Sequence, residues 1–193
     1  MSGRSARRRL LAGLAVLGAC SGAFAGIAPA HADPGGPLTA LVDAAAERLS
    51  TAEPVAANKW NTKAPIEDPA RVEQVLVTVA TDASAQGVDP DRVRRMFRDQ
   101  ISATESIQYT RFAQWKLDPA VAPATAPDLA SSRGVIDGLN RTMVDQMVAQ
   151  WPLLQSPDCG QRVREATDAV AASRGLDELY RHALSFATRS YCG

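Results

Sequence analysis

Beyond residue 36, apolar residues recur three and four positions apart along most of the chain. Leu38, Leu41, Val42, Ala45 and Leu49 form such a stripe between Pro37 and Ser50, the pattern of a helix with one face turned to a core. A second helical piece runs from Pro54 to about Asn61. Proline suits a first helical turn, so the two pieces are either two helices or one kinked helix. Residues 62–67 (TKAPIE) interrupt the pattern and read as a loop. Asp68-Pro69 and Asp89-Pro90 each set an N-cap residue before a proline at the first helical position. The first predicts a helix to about Gln86, ended by Gly87. The second predicts a long helix to about Trp115. Residues 117–127 (LDPAVAPATAP) carry three prolines and read as a surface crossover. Asp128 or Ser131 opens a helix to about Trp151, Ser156-Pro157 opens another to near Gly175, and a last one runs from about Leu176 to Tyr191. Strand signals are scarce, because aromatics make up only 5% of the chain and no hairpin turn joins alternating runs. The pattern predicts an all-α, single-domain bundle of about six helices.

Residues 1–32 have a different character. Arg4, Arg7, Arg8 and Arg9 precede an apolar run (LLAGLAVLGA), and small residues then lead to Ala30-His31-Ala32. A basic start, a short apolar stretch and an A-x-A site make a secretory signal peptide. The apolar run is too short to span a bilayer. Leu17-Gly18-Ala19-Cys20 offers a second route, lipoprotein processing at Cys20. Cleavage near Ala32 leaves residues 33–193 as one domain, secreted or periplasmic. It removes four arginines and no acid, so 17 basic residues face 21 acidic ones, a net charge of about −4. That balance argues against a nucleic-acid partner, which calls for a basic face.

The same cleavage leaves two cysteines, Cys159 and Cys192. An even count in an exported chain reads as a disulfide. A pair of metal ligands is the alternative, but His182 is the one histidine left, too few soft ligands for a four-coordinate zinc site.

The chain lacks a Walker loop, a dinucleotide fingerprint and a G-x-S-x-G elbow, and no pair of carboxylates stands out as an acid–base couple. What remains is a set of cations and amides on apolar helical faces. Arg48 lies in AAAERLS, and Lys59 follows eleven residues later. On a continuous helix that spacing is within about 20° of three turns, so both would face one way about 16 Å apart. Arg71 lies in the first turn of the next helix, Thr104 and Gln108 share a face four apart, and Arg133 comes early in the helix after the crossover. Taken singly, each arginine also fits a snorkelling surface residue.

The stretches LVDAAAERL, ANKW, PIEDPARVEQ, FRDQISATESIQY, RFAQWKLDP, SSRGVIDGLN and RSYCG together resemble the exported (γ) subclass of the all-helical, type II chorismate mutases. The resemblance spans nearly the whole mature chain. It implies conversion of chorismate to prephenate with no metal and no cofactor, in a homodimer whose sites each lie within one subunit. It also implies substrate contacts from Arg48, Lys59, Asp68, Arg71, Thr104, Gln108 and Arg133. Lys59, Gln108 and Arg71 take the catalytic roles and Asp68 a place near the substrate hydroxyl. A relative's pattern has Gln at the position of Val75 and Glu at that of Gln108. The first departure removes a side-chain contact. The second preserves one, since Gln and protonated Glu both donate. The rival expectation is a disulfide-stapled helical binding module. It leaves unexplained why cations recur on faces expected to be buried.

Overall fold

The structure, a computed structural model, describes residues 36–193. The leader at 1–32, its cleavage site and Cys20 lie outside the described residues. Eight α-helical segments follow in order: α1 (Thr39–Ser50), α2 (Ala52–Thr62), α3 (Pro69–Ala85), α4 (Pro90–Leu117), α5 (Leu129–Ala149), α6 (Trp151–Leu154), α7 (Cys159–Ser173) and α8 (Glu178–Ala187). A single 3-10 turn, Pro119–Val121, lies in the crossover. The described residues contain no strand.

Four of the helices begin at an aspartate whose carboxylate accepts from the first turn. Asp68 caps α3, Asp89 caps α4, Asp128 caps α5 and Asp177 caps α8. Each bond satisfies a main-chain N–H that has no partner inside the helix. Asp128, rather than Ser131, therefore opens α5.

The expected boundaries shift in three places, the first being that α7 starts at Cys159 rather than at Ser156-Pro157. The helix predicted to reach Trp151 stops at Ala149, and a four-residue helix, α6, takes over. Pro152 lacks an N–H, and its ring would strike the carbonyl four residues back, so α5 cannot continue through it. The last helix ends at Ala187 rather than Tyr191, and the tail closes as a turn in which Tyr191 N donates to Thr188 O at 3.1 Å.

α1 and α2 are separate helices joined through a single residue. Thr51 between them keeps right-handed helical angles (φ −73°, ψ −11°), and its N–H reaches Arg48 O at 3.2 Å, one residue tighter than an α-helical bond. Pro54 follows in the first turn of α2.

α1 runs through the centre of the fold, in contact with α4, α5, α7 and α8. Its stripe residues Leu38, Leu41, Val42, Ala45 and Leu49 are fully buried. Phe97, Met96, Met143, Met147, Leu154 and Leu184 complete the core from the other helices. A smaller cluster of Ala56, Ala57 and Trp115, joined by Trp60 and Phe112, holds the crossover through Ala122 and Ala126. The Trp60 ring meets Phe112 edge-on at 5.2 Å. Asn58 Nδ2 donates to Pro127 O at 2.9 Å, tying the crossover's far end to α2.

Cys159 and Cys192 are disulfide-bonded, with Cα atoms 5.7 Å apart. The bond joins the first residue of α7 to the tail beyond α8. Arg92, from the first turn of α4, donates through Nη2 to Leu154 O (2.6 Å) and Tyr191 O (2.7 Å) and stacks on Trp151. No helix among the described residues is long and apolar enough to cross a membrane.

Candidate active site

The seven side chains singled out in the sequence come together. Arg48, Lys59, Asp68, Arg71, Thr104, Gln108 and Arg133 line one cleft of about 620 Å³, measured to its open mouth. Val55, Ile66, Val72, Val75, Ile101, Leu129 and Ile136 make its apolar walls, and Glu105 adds a second carboxylate. α1 and α2 supply one side, α3 and α4 two more, and the start of α5 the last. The Arg48–Lys59 spacing carries across the Thr51 junction well enough for both side chains to face the same space.

The cations fall into two kinds. Arg48 and Lys59 are 4% and 9% exposed, and neither is ion-paired. Arg48 Nε donates to Asn140 Oδ1 at 2.7 Å, and its Nη1 to Thr104 Oγ1 at 3.2 Å. Lys59 Nζ donates to the main-chain carbonyl of Ile66. All these acceptors are neutral. Arg71 and Arg133 lie nearer solvent and are ion-paired. Arg71 Nη2 donates to Asp137, and Arg133 Nη2 to Asp68 Oδ2 at 2.9 Å. Both pairs are half-buried and open to solvent on one side, where an ion pair is worth on the order of 1 kcal/mol, so an incoming anion can exchange with them.

Burial sets the electrostatics of the deep end. Desolvation pushes the Arg48 guanidinium down to about 10, with Arg71 adding to the fall and Tyr191 and Asp137 opposing it. Arg48 still stays protonated near neutrality. Desolvation also lowers Lys59, against the pull of Asp68 and Glu105. Glu105 is raised, first by burial and then by the neighbouring Glu67. Two buried cations without counter-ions are costly, and the arrangement is relieved by a bound anion. Gln108 Oε1 is also buried without a hydrogen-bond partner; it is an acceptor, and the donor of this side chain is the Nε2 end of the amide.

Local backbone geometry delivers these groups. Lys63 takes a left-handed conformation (φ 58°) after α2, and Ala64 N returns to Lys59 O at 3.0 Å. That reversal brings the Ile66 carbonyl over the Lys59 amine. Asp68 does double duty. Its Oδ1 accepts from Arg71 N at 3.1 Å, capping α3, while Oδ2 holds Arg133. Asn140, Asp137, Glu105 and the Ile66 carbonyl belong to the site and were not expected from the sequence.

No Ser, Cys or His lines the cleft, and no cluster of metal-ligating side chains occurs among the described residues. Fold and site together define an all-helical protein with a cationic cleft suited to a small polyanion. The family profile for chorismate mutase type II matches residues 39–109. The chain is 55% identical to a secreted chorismate mutase of Mycolicibacterium smegmatis over 88% of its length and 95% of that protein's. It is 52% identical to a secreted chorismate mutase of Mycobacterium tuberculosis over 84% of its length and 82% of that protein's. The crystal structure of a chorismate mutase from Burkholderia phymatum superposes with a TM-score of 0.77 at 34% identity, covering 81% of this chain and 96% of that one. This chain belongs to the secreted chorismate mutases of the all-helical type II family.

Proposed function

We propose that this protein is an exported chorismate mutase that converts chorismate to prephenate by charge placement alone. One observation carries the reading: two buried cations without counter-ions share a cleft with two further arginines and the Gln108 amide. Chorismate has two carboxylates and an enol ether. In the rearrangement the ether C–O bond breaks as a C–C bond forms within the same molecule, so nothing is added and nothing leaves. Arg48 and Arg133 clamp the carboxylates through their planar forks, with Arg71 as a third cation beside them. Binding both ends in a compact shape supplies the proximity contribution. Negative charge develops on the ether oxygen as the bond breaks. Lys59 and the Gln108 amide donate to it, a stabilisation that exists mainly in the transition state. Thr104 supports Arg48, and Asp68 lies where the substrate hydroxyl is held. Val75 offers only apolar contact.

The chain works outside the cytoplasm after cleavage near Ala32, a reading supported by the names of its secreted relatives and by the leader pattern. Processing at Cys20 would instead leave a lipid anchor. The protein is a homodimer, a reading that rests on the family resemblance, with each site inside one subunit, a reading supported by the meeting of all seven expected side chains within one chain.

Residues 33–193, expressed with the disulfide formed, should consume chorismate and release prephenate. Lys59→Ala should lose about 10²–10³-fold in kcat, the usual cost of one transition-state donor, and Arg133→Ala should mainly raise KM. Absence of turnover by folded wild-type protein would reject the reading in favour of an anion-binding module.

A further inference from the structure

The ion pairs of the described residues set Arg48 apart. Arg71, Arg94, Arg111, Arg133, Arg162, Arg174 and Arg189 each have an acidic partner. Arg48 is more buried than any of them, yet its nearest acceptor is an amide. Arg92 is also buried and held by neutral carbonyls, but its Nη2 is spent on the tail and its face on Trp151. Arg48 lines a cleft.

We infer that Asn140 is the positioning residue for Arg48, holding its fork toward the substrate carboxylate without cancelling its charge. The inference deepens the chorismate reading and rests on it. Asn140 lies on α5, is 5% exposed, and accepts from Nε at 2.7 Å. Binding Nε fixes the guanidinium plane and leaves the Nη1–Nη2 end for a bidentate carboxylate. Thr104 Oγ1 takes one Nη1 hydrogen and itself donates to Gln100 O at 2.8 Å, so the fork is braced from α4 and α5 together. An aspartate at position 140 would have the same shape and offer the same acceptor. It would also form a buried ion pair with Arg48, and the substrate carboxylate would then meet a neutralised site. The amide supplies orientation, and its neutrality leaves the charge available.

The experiment compares wild type, Asn140→Asp and Asn140→Ala by chorismate kinetics and thermal melts. Asn140→Asp should melt at or above the wild-type temperature and show a KM raised at least tenfold. Asn140→Ala should melt lower, with a smaller rise in KM and a fall in kcat as the fork loses its orientation. The better-folded variant thus binds worse, an inversion that a merely structural role does not produce. If the role were structural, Asn140→Asp would stay within twofold of wild type and Asn140→Ala would lose activity in step with stability. That result overturns the inference while wild-type turnover keeps the parent reading intact. If Asn140→Asp does not fold, Asn140→Ala decides. A tenfold or greater loss of kcat/KM in folded protein supports positioning, and a loss under twofold overturns it. Wild-type protein without turnover sinks the chorismate reading and this inference with it.

Discussion

Lys59 must carry its proton to donate to an ether oxygen. Burial holds its pKa below the ordinary 10.5, opposed by Asp68 and Glu105. The cation is present below that lowered value and lost as pH rises through it, so turnover should fall on an alkaline limb that starts below pH 10.5. Gln108 does not titrate, so kcat should stay level from about pH 5 to pH 8, between the ordinary carboxylate and lysine ranges. Glu105 is raised above 4.5 and becomes an anion in the cleft as pH passes its value, so KM should be lowest at the acid end. Gln108→Glu introduces a donor that needs a proton and should move the kcat optimum to acid. Steady-state kinetics from about pH 4.5 to pH 10 test all of this. A Gln108→Glu variant whose kcat optimum stays where wild type has it would remove Gln108 from the ether oxygen. At this scale the cations were legible because charge on an apolar face is anomalous and helical spacing says which residues share that face. The groups that hold them were not. Asn140 lies 92 residues from Arg48, a separation that leaves no spacing signal, and the Ile66 carbonyl has no side chain to read. Glu105 had one available signal, its place next to Thr104 on a helix already assigned to the site.

Helix boundaries followed the same logic of local chemistry. Asp-Pro starts at Asp68 and Asp89 were readable because cap and proline act within one turn. α6 was missed because Pro152 can be read either as a first-turn residue or as an interruption, and burial of Leu154 against the core decides between them. The reversal after α2 was also hidden, since Lys63 is not a residue that advertises a left-handed backbone. That conformation costs an ordinary residue about 1–2 kcal/mol. The cation–π contact of Lys63 with Trp60, 5.3 Å from the ring centroid, returns about 0.5 kcal/mol at an exposed site. Glycine's extra chain entropy takes back about 0.5–1 kcal/mol, so Lys63→Gly should raise stability by at most about 1 kcal/mol, read from the urea midpoint. The Ile66 carbonyl should stay over Lys59, leaving kcat unchanged. Lower stability would mean that the Lys63 side chain contributes more than its backbone costs.

For the molecule as a whole, the predicted single helical domain describes residues 36–193 well, because the apolar stripe of α1 alone required several helices to cover it. The pairing of the two cysteines was readable from their number. The anchoring of the tail by Arg92 was not, as its acceptors are main-chain carbonyls from two distant segments. The disulfide closes a separation of 33 residues, for which chain entropy gives about 3–4 kcal/mol. Cys159→Ser with Cys192→Ser should lose about that much in a denaturation series, and reductant should have no effect on the double variant. Wild-type stability that is unchanged on reduction would place the tail's anchoring in its noncovalent contacts, those of Arg92 with Tyr191 O and of Asp99 with Arg189 and Ser190.

The central place of α1 also has a consequence for biogenesis. A chain threaded through a membrane from its N-terminus delivers α1 before the other described helices. Yet α1 is covered by α5, α7 and α8, which come across last. Its fully apolar stripe, and the Arg48 charge beside it, would wait outside the cell without neighbours until synthesis and transfer are nearly finished. Folding would therefore be post-translocational. An exported fragment cut short before α7 would lack two of the helices that cover α1 and present an open apolar seam to proteases.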